Sequence, residues 1–360
     1  MNLLILLIII SFIIMYDKNK REKKNKEKFT NNKIESCKHI PTLFHQVMKE
    51  NKLKDNDIYI PCTYNTCEAD ILRFEEKPAT KIYMIDGCDV LASKLELWRV
   101  LRNHFGKDAN KYMPTTYLLE DKDDIKNFPK HFEENKKLRS NHMYVLKNYE
   151  QRQEGIKLTR DLKEILEGLK KGWYLVQDYL YNPYIISKRK INFRYYLLIT
   201  CINGKIEAYS HNDGFLYYTP DFYDENDINS EKHITTGYID RKVYQENPLT
   251  LEDFREHLDK ENKKLRYMWN NNVEDLLRNV MYALSPNICK NKKLDHHVRF
   301  ELFGCDVAPT NKLEARLMEI NKGPDMNAKD ERDKLVKLTV QRDIIKIINK
   351  NPNNKFIKLL

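Results

Sequence analysis

Residues 314–324 of this 360-residue sequence read EARLMEINKGP. Taken as a strand, the run alternates, with Leu317, Glu319 and Asn321 on one face and Arg316, Met318 and Ile320 on the other, and it stops at Gly323-Pro324. A carboxylate and a carboxamide two residues apart bring hard oxygen ligands of the kind Mg²⁺ takes to one point. The same alternation is what an antiparallel strand with one solvated face shows. The segment alone leaves both readings open.

Other charged residues also sit in strand-like runs. Lys147 ends Met143–Lys147, Lys190 and Arg194 flank and occupy Ile191–Cys201, and Asp306 closes Glu301-Leu-Phe-Gly-Cys-Asp306. Burial of each is costly unless it is paired or bound to a ligand. If Val298–Val307 and Leu313–Ile320 form a hairpin around Pro309–Lys312, Asp306 lies near Glu319. Two carboxylates and a carboxamide then make a divalent-cation site, and lysines and an arginine converging on it suit phosphates.

The elements that must position these groups follow from periodicity. Strands are expected at Lys81–Asp86, Thr115–Leu119, Met143–Lys147, Tyr174–Tyr179, Ile191–Cys201 and Lys205–His211, the last two joined by Asn203-Gly204. Helices are expected over Ser93–Arg102, Asp121–Phe132, Arg160–Lys171, about 251–265, about 272–285 and about 331–349. Leu335, Leu338, Ile345 and Ile348 mark the last helix's apolar stripe, and a polar insertion fills roughly 219–248. Helices mixed with mostly antiparallel strands indicate an α+β fold.

Composition, at 41% hydrophobic and 32% charged, supports a real core and excludes a disordered chain. The formal charge is +10, but eight basic against three acidic residues in 1–33 supply half of it. The body is mildly basic, suits an acidic partner, and carries no recognition-helix, zinc-finger or RRM signature, so no nucleic-acid partner is expected. Seven scattered cysteines read as reduced thiols, Cys62 and Cys67 lack a zinc-spaced partner pair, and His296-His297 reads as surface.

Residues 1–16 are apolar from Leu3 to Met15 apart from Ser11. They span about 20 Å as a helix, against roughly 30 Å of hydrocarbon. Basic residues follow the run and none precedes it, so the expectation is a short membrane anchor with the body of the chain in the cytoplasm. The domains expected are that anchor (1–16), a charged tether (17–36), a small N-terminal α/β domain (37–135) and a larger unit (136–350).

An ordered series of motifs spans roughly 81–349: Tyr144-Val-Leu-Lys147, Leu175-Val-Gln-Asp-Tyr-Leu180 with Asn182-Pro183, Lys188-Arg-Lys-Ile-Asn-Phe-Arg194, Asp213-Gly214-Phe215, His233-Ile-Thr235, Phe300-Glu-Leu-Phe-Gly-Cys-Asp306 and Leu317-Met-Glu-Ile-Asn321. The series resembles the tubulin–tyrosine ligase-like family of ATP-grasp amino-acid ligases. The resemblance implies an ATP-grasp architecture for 136–350 and ATP and Mg²⁺ as cofactors. It gives Lys147 and Lys190 to the ATP phosphates, Gln177, Asp178, Tyr179 and Leu180 to the adenine pocket, Asn192 to nucleotide contact, Arg194 to the reaction centre, and Asp306, Glu319 and Asn321 to the metal. The implied activity joins a free amino acid to a carboxylate of tubulin or a similar acidic protein tail through an acyl phosphate. The alternative is a pseudoenzyme that binds nucleotide or an acidic tail without turnover. Three positions depart from the family pattern: Asn192 where aspartate is usual, Tyr217 near a usual arginine, and Thr236 at a usual asparagine. The loop Asn148–Gly155 has one glycine where the family has several.

Overall fold

A computed structural model describes residues 42–54, 57–61, 68–149 and 155–360. The strands are β1 (Ile58–Tyr59), β2 (Lys81–Ile82), β3 (Thr116–Leu118), β4 (Tyr144–Lys147), β5 (Ile156–Thr159), β6 (Leu175–Asp178), β7 (Ile185–Ile186), β8 (Arg189–Ile202), β9 (Lys205–Tyr218), β10 (Val298–Pro309), β11 (Ala315–Lys322) and β12 (Phe356–Lys358). They build two sheets. The larger runs β1-β2-β10-β8-β9-β12, with β11 added to β10 and β7 to β8; the smaller runs β3-β6-β4-β5. Helices, a mixed large sheet and an antiparallel small sheet together form the α+β arrangement.

Strands β8 and β9, 14 residues each, form the central hairpin. Asn203 and Gly204 take φ of +52° and +72°, the left-handed pair a type I′ turn requires. Helices Leu251–Glu261, Lys263–Leu284 and Glu331–Ile348 pack on this hairpin. Phe193 of β8 meets Phe254 and Trp269 of the first two helices, each at 4.7 Å between ring centres. That packing covers one face of β8. The other face is left for Lys190, Asn192 and Arg194, which alternate with it.

Several expectations change. The helices expected at 251–265 and 272–285 meet at Asn262, whose side chain accepts from the Lys264 amide and caps the second. Leu335 is 64% exposed, because Asp333, Val336, Lys337 and Val340 take the buried stripe instead. The strand at Lys81–Asp86 shortens to Lys81–Ile82, and Asp86 turns to pair with buried Arg299. His297 is buried, not on the surface: it accepts from the Thr80 amide and bonds the Phe74 carbonyl at 2.8 Å. Cys201 and Cys289, expected to be reduced, are joined as a disulfide, while Cys88 and Cys305 are free and buried.

The membrane-anchored localisation is also corrected. No helix among the described residues is long and apolar enough to cross a membrane. The segment 1–16 lies outside them, as do the tether 17–36, Cys62, Cys67 and residues 150–154. The span of 1–16 is itself shorter than a hydrocarbon core.

Candidate active site

The charged residues of the large sheet meet on one face because their strands pair in register. Arg194 stands opposite Asp306, and Asp306 opposite Glu319. Arg194 grips Asp306 with both arms, Nε to Oδ1 at 2.6 Å and Nη2 to Oδ2 at 3.0 Å. Asn321, opposite Gly304, reaches both carboxylates, 3.3 Å from Asp306 and 3.1 Å from Glu319. Gly304 is what lets the guanidinium lie there. A Cβ on it would sit 2.8 Å from Arg194 Cδ and 3.1 Å from Nε. A bulge after Asp306 pairs Val307 with Leu317 and skips Met318. Leu317 is thereby turned into the core, off the face that Glu319 and Asn321 share.

A second group combines Lys147 of the small sheet with Lys190 of β8. Lys147, at the end of β4, is buried and donates to Gln177 Oε1 at 2.7 Å. Gln177 in turn donates to Thr116 Oγ1 at 2.8 Å and to the Pro114 carbonyl. Lys190, also buried, donates to the Tyr179 hydroxyl at 3.3 Å and lies 4.5 Å from that ring's centre. His233 holds the same hydroxyl at 2.9 Å. Asp178 alternates away: its carboxylate meets His131 at 2.8 Å on the opposite face, so the side chain stands apart from both lysines. Leu180 is half-buried beside Tyr179.

Electrostatics divide the site. Burial lowers Lys147 to about 8, and burial with the neighbouring Lys147 charge lowers Lys190 to about 7. Neither lysine has an ion-pair partner among the described residues. Burial raises Asp306 to about 6 against the pull of Arg194, with Glu319 adding repulsion. Burial acts upward on Glu319 too, yet Lys147 and Lys94 hold its carboxyl below the usual range. Two carboxylates and a carboxamide are a sufficient Mg²⁺ donor set, since Mg²⁺ takes one or two carboxylates and fills its shell with phosphate and water oxygens. Among the described residues no group of three or more His, Cys, Asp or Glu side chains is arranged to hold a metal ion.

The three departures come together. Asn192 pairs with Tyr217 across β8–β9, and Thr236 donates its amide to the Tyr218 carbonyl. Asn192 Oδ1 is buried with no hydrogen-bond partner, an acceptor that a ligand N–H or O–H would satisfy. Sequence periodicity missed Lys94, which opens the helix Lys94–Phe105, reaches the Asn148 carbonyl at 3.2 Å and biases Glu319. Helical spacing reports a buried face but not what lies across from the exposed one, so no signal in the sequence marked it.

A family model described as the tubulin-tyrosine ligase family matches residues 72–355. The chain belongs to that family. Among its relatives is tubulin glycylase 3B of Drosophila melanogaster, 23% identical over 60% of this chain and 30% of that protein. The probable tubulin polyglutamylase TTLL2 of Mus musculus is 24% identical over 70% of this chain and 47% of its own length. Tubulin polyglutamylase TTLL7 of Xenopus tropicalis is 22% identical over 93% of this chain and 39% of its own. This tubulin-tyrosine ligase family chain therefore spans less than half the length of these relatives.

Proposed function

We propose that the protein is an ATP- and Mg²⁺-dependent ligase of ATP-grasp architecture that joins a free amino acid to a carboxylate on an acidic protein tail, tubulin's or one like it. The observation that carries this reading is a pair of buried lysines without a counter-charge beside a cluster of carboxylates. Lys147 and Lys190 are buried with only neutral hydrogen-bond partners, and Lys147 lies close enough to Glu319 to bias its ionisation. Buried unpaired cations are costly, and phosphate oxygens remove the cost.

On this reading Lys147 and Lys190 hold phosphates, Tyr179 and the Gln177–Leu180 backbone border the base, and Asn192 Oδ1 accepts from the nucleotide. Asp306, Glu319 and Asn321 would hold Mg²⁺, which when bound neutralises phosphate charge. An oxygen of the acceptor carboxylate attacks the γ-phosphorus, the bond to the ADP oxygen breaks, and an acyl phosphate forms. The amine nitrogen of the amino acid then attacks the acyl carbon, inorganic phosphate leaves, and the surplus ammonium protons pass to solvent. Arg194, held by Asp306, would steady the charge that develops at the acyl phosphate. Positioning and charge neutralisation supply the rate, with little covalent work for the protein.

The test is incubation of the protein with tubulin, Mg²⁺-ATP and labelled glutamate, glycine or tyrosine. Label is expected in protein with matching ADP release, both lost in Glu319→Gln. Tight ATP binding with no label from any amino acid would replace this reading with a non-catalytic nucleotide-binding protein.

A further inference from the structure

One cation bordering the site is accounted for by neither phosphates nor an ion pair. Lys329 follows β11 by seven residues, and its ammonium donates to the Gly237 carbonyl at 2.7 Å and lies 4.1 Å from the centre of the Tyr238 ring. The insertion 219–248 thus holds it at the rim. The cations around it are spent: Arg241 on Asp330, Lys337 on Asp333 at 2.9 Å, Arg332 on Asp253. Lys329 forms no ion pair among the described residues, although Asp325, Asp330 and Asp333 belong to the same stretch of chain. Lys329 is solvent-exposed, and its partial desolvation and the Lys337 charge lower its pKa while Asp325 and Asp333 act upward.

Lys329 adjoins the reaction centre through Tyr217. A Cβ on Gly237 would lie 3.0 Å from Tyr217 Cε1 and 3.3 Å from Lys329 Nζ, so glycine lets the phenol and the ammonium close on one small space that a methyl group would fill only by pushing them aside. The same Tyr217 ring carries the Arg194 guanidinium 5.3 Å from its centre. Lys147 and Lys190 are held by Gln177 and Tyr179, near the small sheet. Lys329 is held by the insertion, apart from those contacts.

We propose that Lys329, with the Tyr217 hydroxyl, binds a carboxylate of the organic substrates, that of the incoming amino acid, and so orients its amine toward the Arg194 centre. The proposal rests on the ligase reading above. It needs only one anionic oxygen pair at the ammonium and phenol, and it takes no charge from the phosphate side.

The test compares wild type, Lys329→Met, Lys329→Arg and Gly237→Ala, with tubulin as acceptor. Gly237→Ala puts a methyl group into the space at a residue whose φ is not in the left-handed region. Loss of a charge-assisted bond predicts a KM for the amino acid raised roughly 10- to 100-fold in Lys329→Met. The KM for ATP and kcat should hold, Lys329→Arg should recover most of the loss, and Gly237→Ala should share it. A KM rise for tubulin instead assigns the site to the acceptor's carboxylate and overturns the proposal. Unchanged KM for both, a loss confined to kcat, or a raised KM for ATP overturns the proposal. A second measurement needs no turnover: melting with Mg²⁺ and a non-hydrolysable ATP analogue, with glutamate, glycine or tyrosine added. An amino-acid shift in wild type that Lys329→Met lacks supports the site even if no ligation occurs, the outcome that defeats the ligase reading alone. No shift with any of the three in wild type overturns it.

Discussion

The carboxylate cluster of β10 and β11 and the two buried lysines, Lys147 on β4 and Lys190 on β8, solve the same problem in opposite ways. In the carboxylate cluster each charge has a partner: Arg194 clasps Asp306, and Asn321 bridges Asp306 and Glu319. Near the small sheet Lys147 and Lys190 have a carboxamide oxygen and a phenol. The first region is built to persist without ligand. The second gives up stability for affinity, as binding sites commonly do. Mutations should therefore act in opposite senses on the two sides, and that contrast can be broken.

The largest effect is expected at Glu319. Glu319→Gln should remove ligation by about a thousandfold or more, because the divalent cation loses a charged ligand. Since Lys147 and Lys94 favour the ionised carboxylate, the same change should also lower ligand-free stability, by on the order of 1 kcal/mol. A thermal melt that rises in Glu319→Gln would show that repulsion from Asp306 dominates and that the carboxylate cluster is not self-sufficient. Gly304→Ala comes next. Its methyl group displaces Arg194 from Asp306, so ligation should fall by about ten- to a hundredfold with ATP affinity nearly kept. Equal loss of ATP affinity would place Arg194 on the nucleotide instead.

Lys190→Met tests the other side. ATP affinity should drop about 10- to 150-fold for one charge-assisted phosphate contact, while the ligand-free protein becomes more stable at pH 7. The sign follows from burial lowering Lys190 to about 7. Between that value and its ordinary 10.5 the unfolded chain binds more protons than the folded one, so wild-type stability should rise with pH through that window. Melts of both proteins from pH 6 to 10 check it: the wild-type rise should be shallower in Lys190→Met, and parallel curves would mean Lys190 is already charge-compensated. The smallest effect is expected at Asp178→Asn. It should leave ATP affinity within about twofold and cost roughly 1 kcal/mol through its His131 contact.

Much of this was legible in the sequence where one strand decides one face. The Asn203-Gly204 turn, the β10–β11 hairpin and the meeting of Asp306 with Glu319 follow from turn chemistry and alternation. Leu317 was misplaced because a bulge adds one residue, and alternation carries no sign of where that happens. Asp178 sits in a motif read as one unit, yet period-two geometry sends it away from Gln177 and Tyr179. Lys94, Lys329, buried His297 and the Cys201–Cys289 bond depend on partners tens to hundreds of residues away, which local pattern does not encode.

The central claim is that these two regions together join an amino acid to a protein carboxylate at the expense of ATP. Mass spectrometry of tubulin after incubation with the protein, Mg²⁺-ATP and mixed amino acids tests it most directly. The account predicts peptides from the acidic tails heavier by one or more amino-acid residues, absent when ATP is omitted or Glu319→Gln replaces wild type. Unmodified tails alongside a wild-type protein that still binds Mg²⁺-ATP would contradict it.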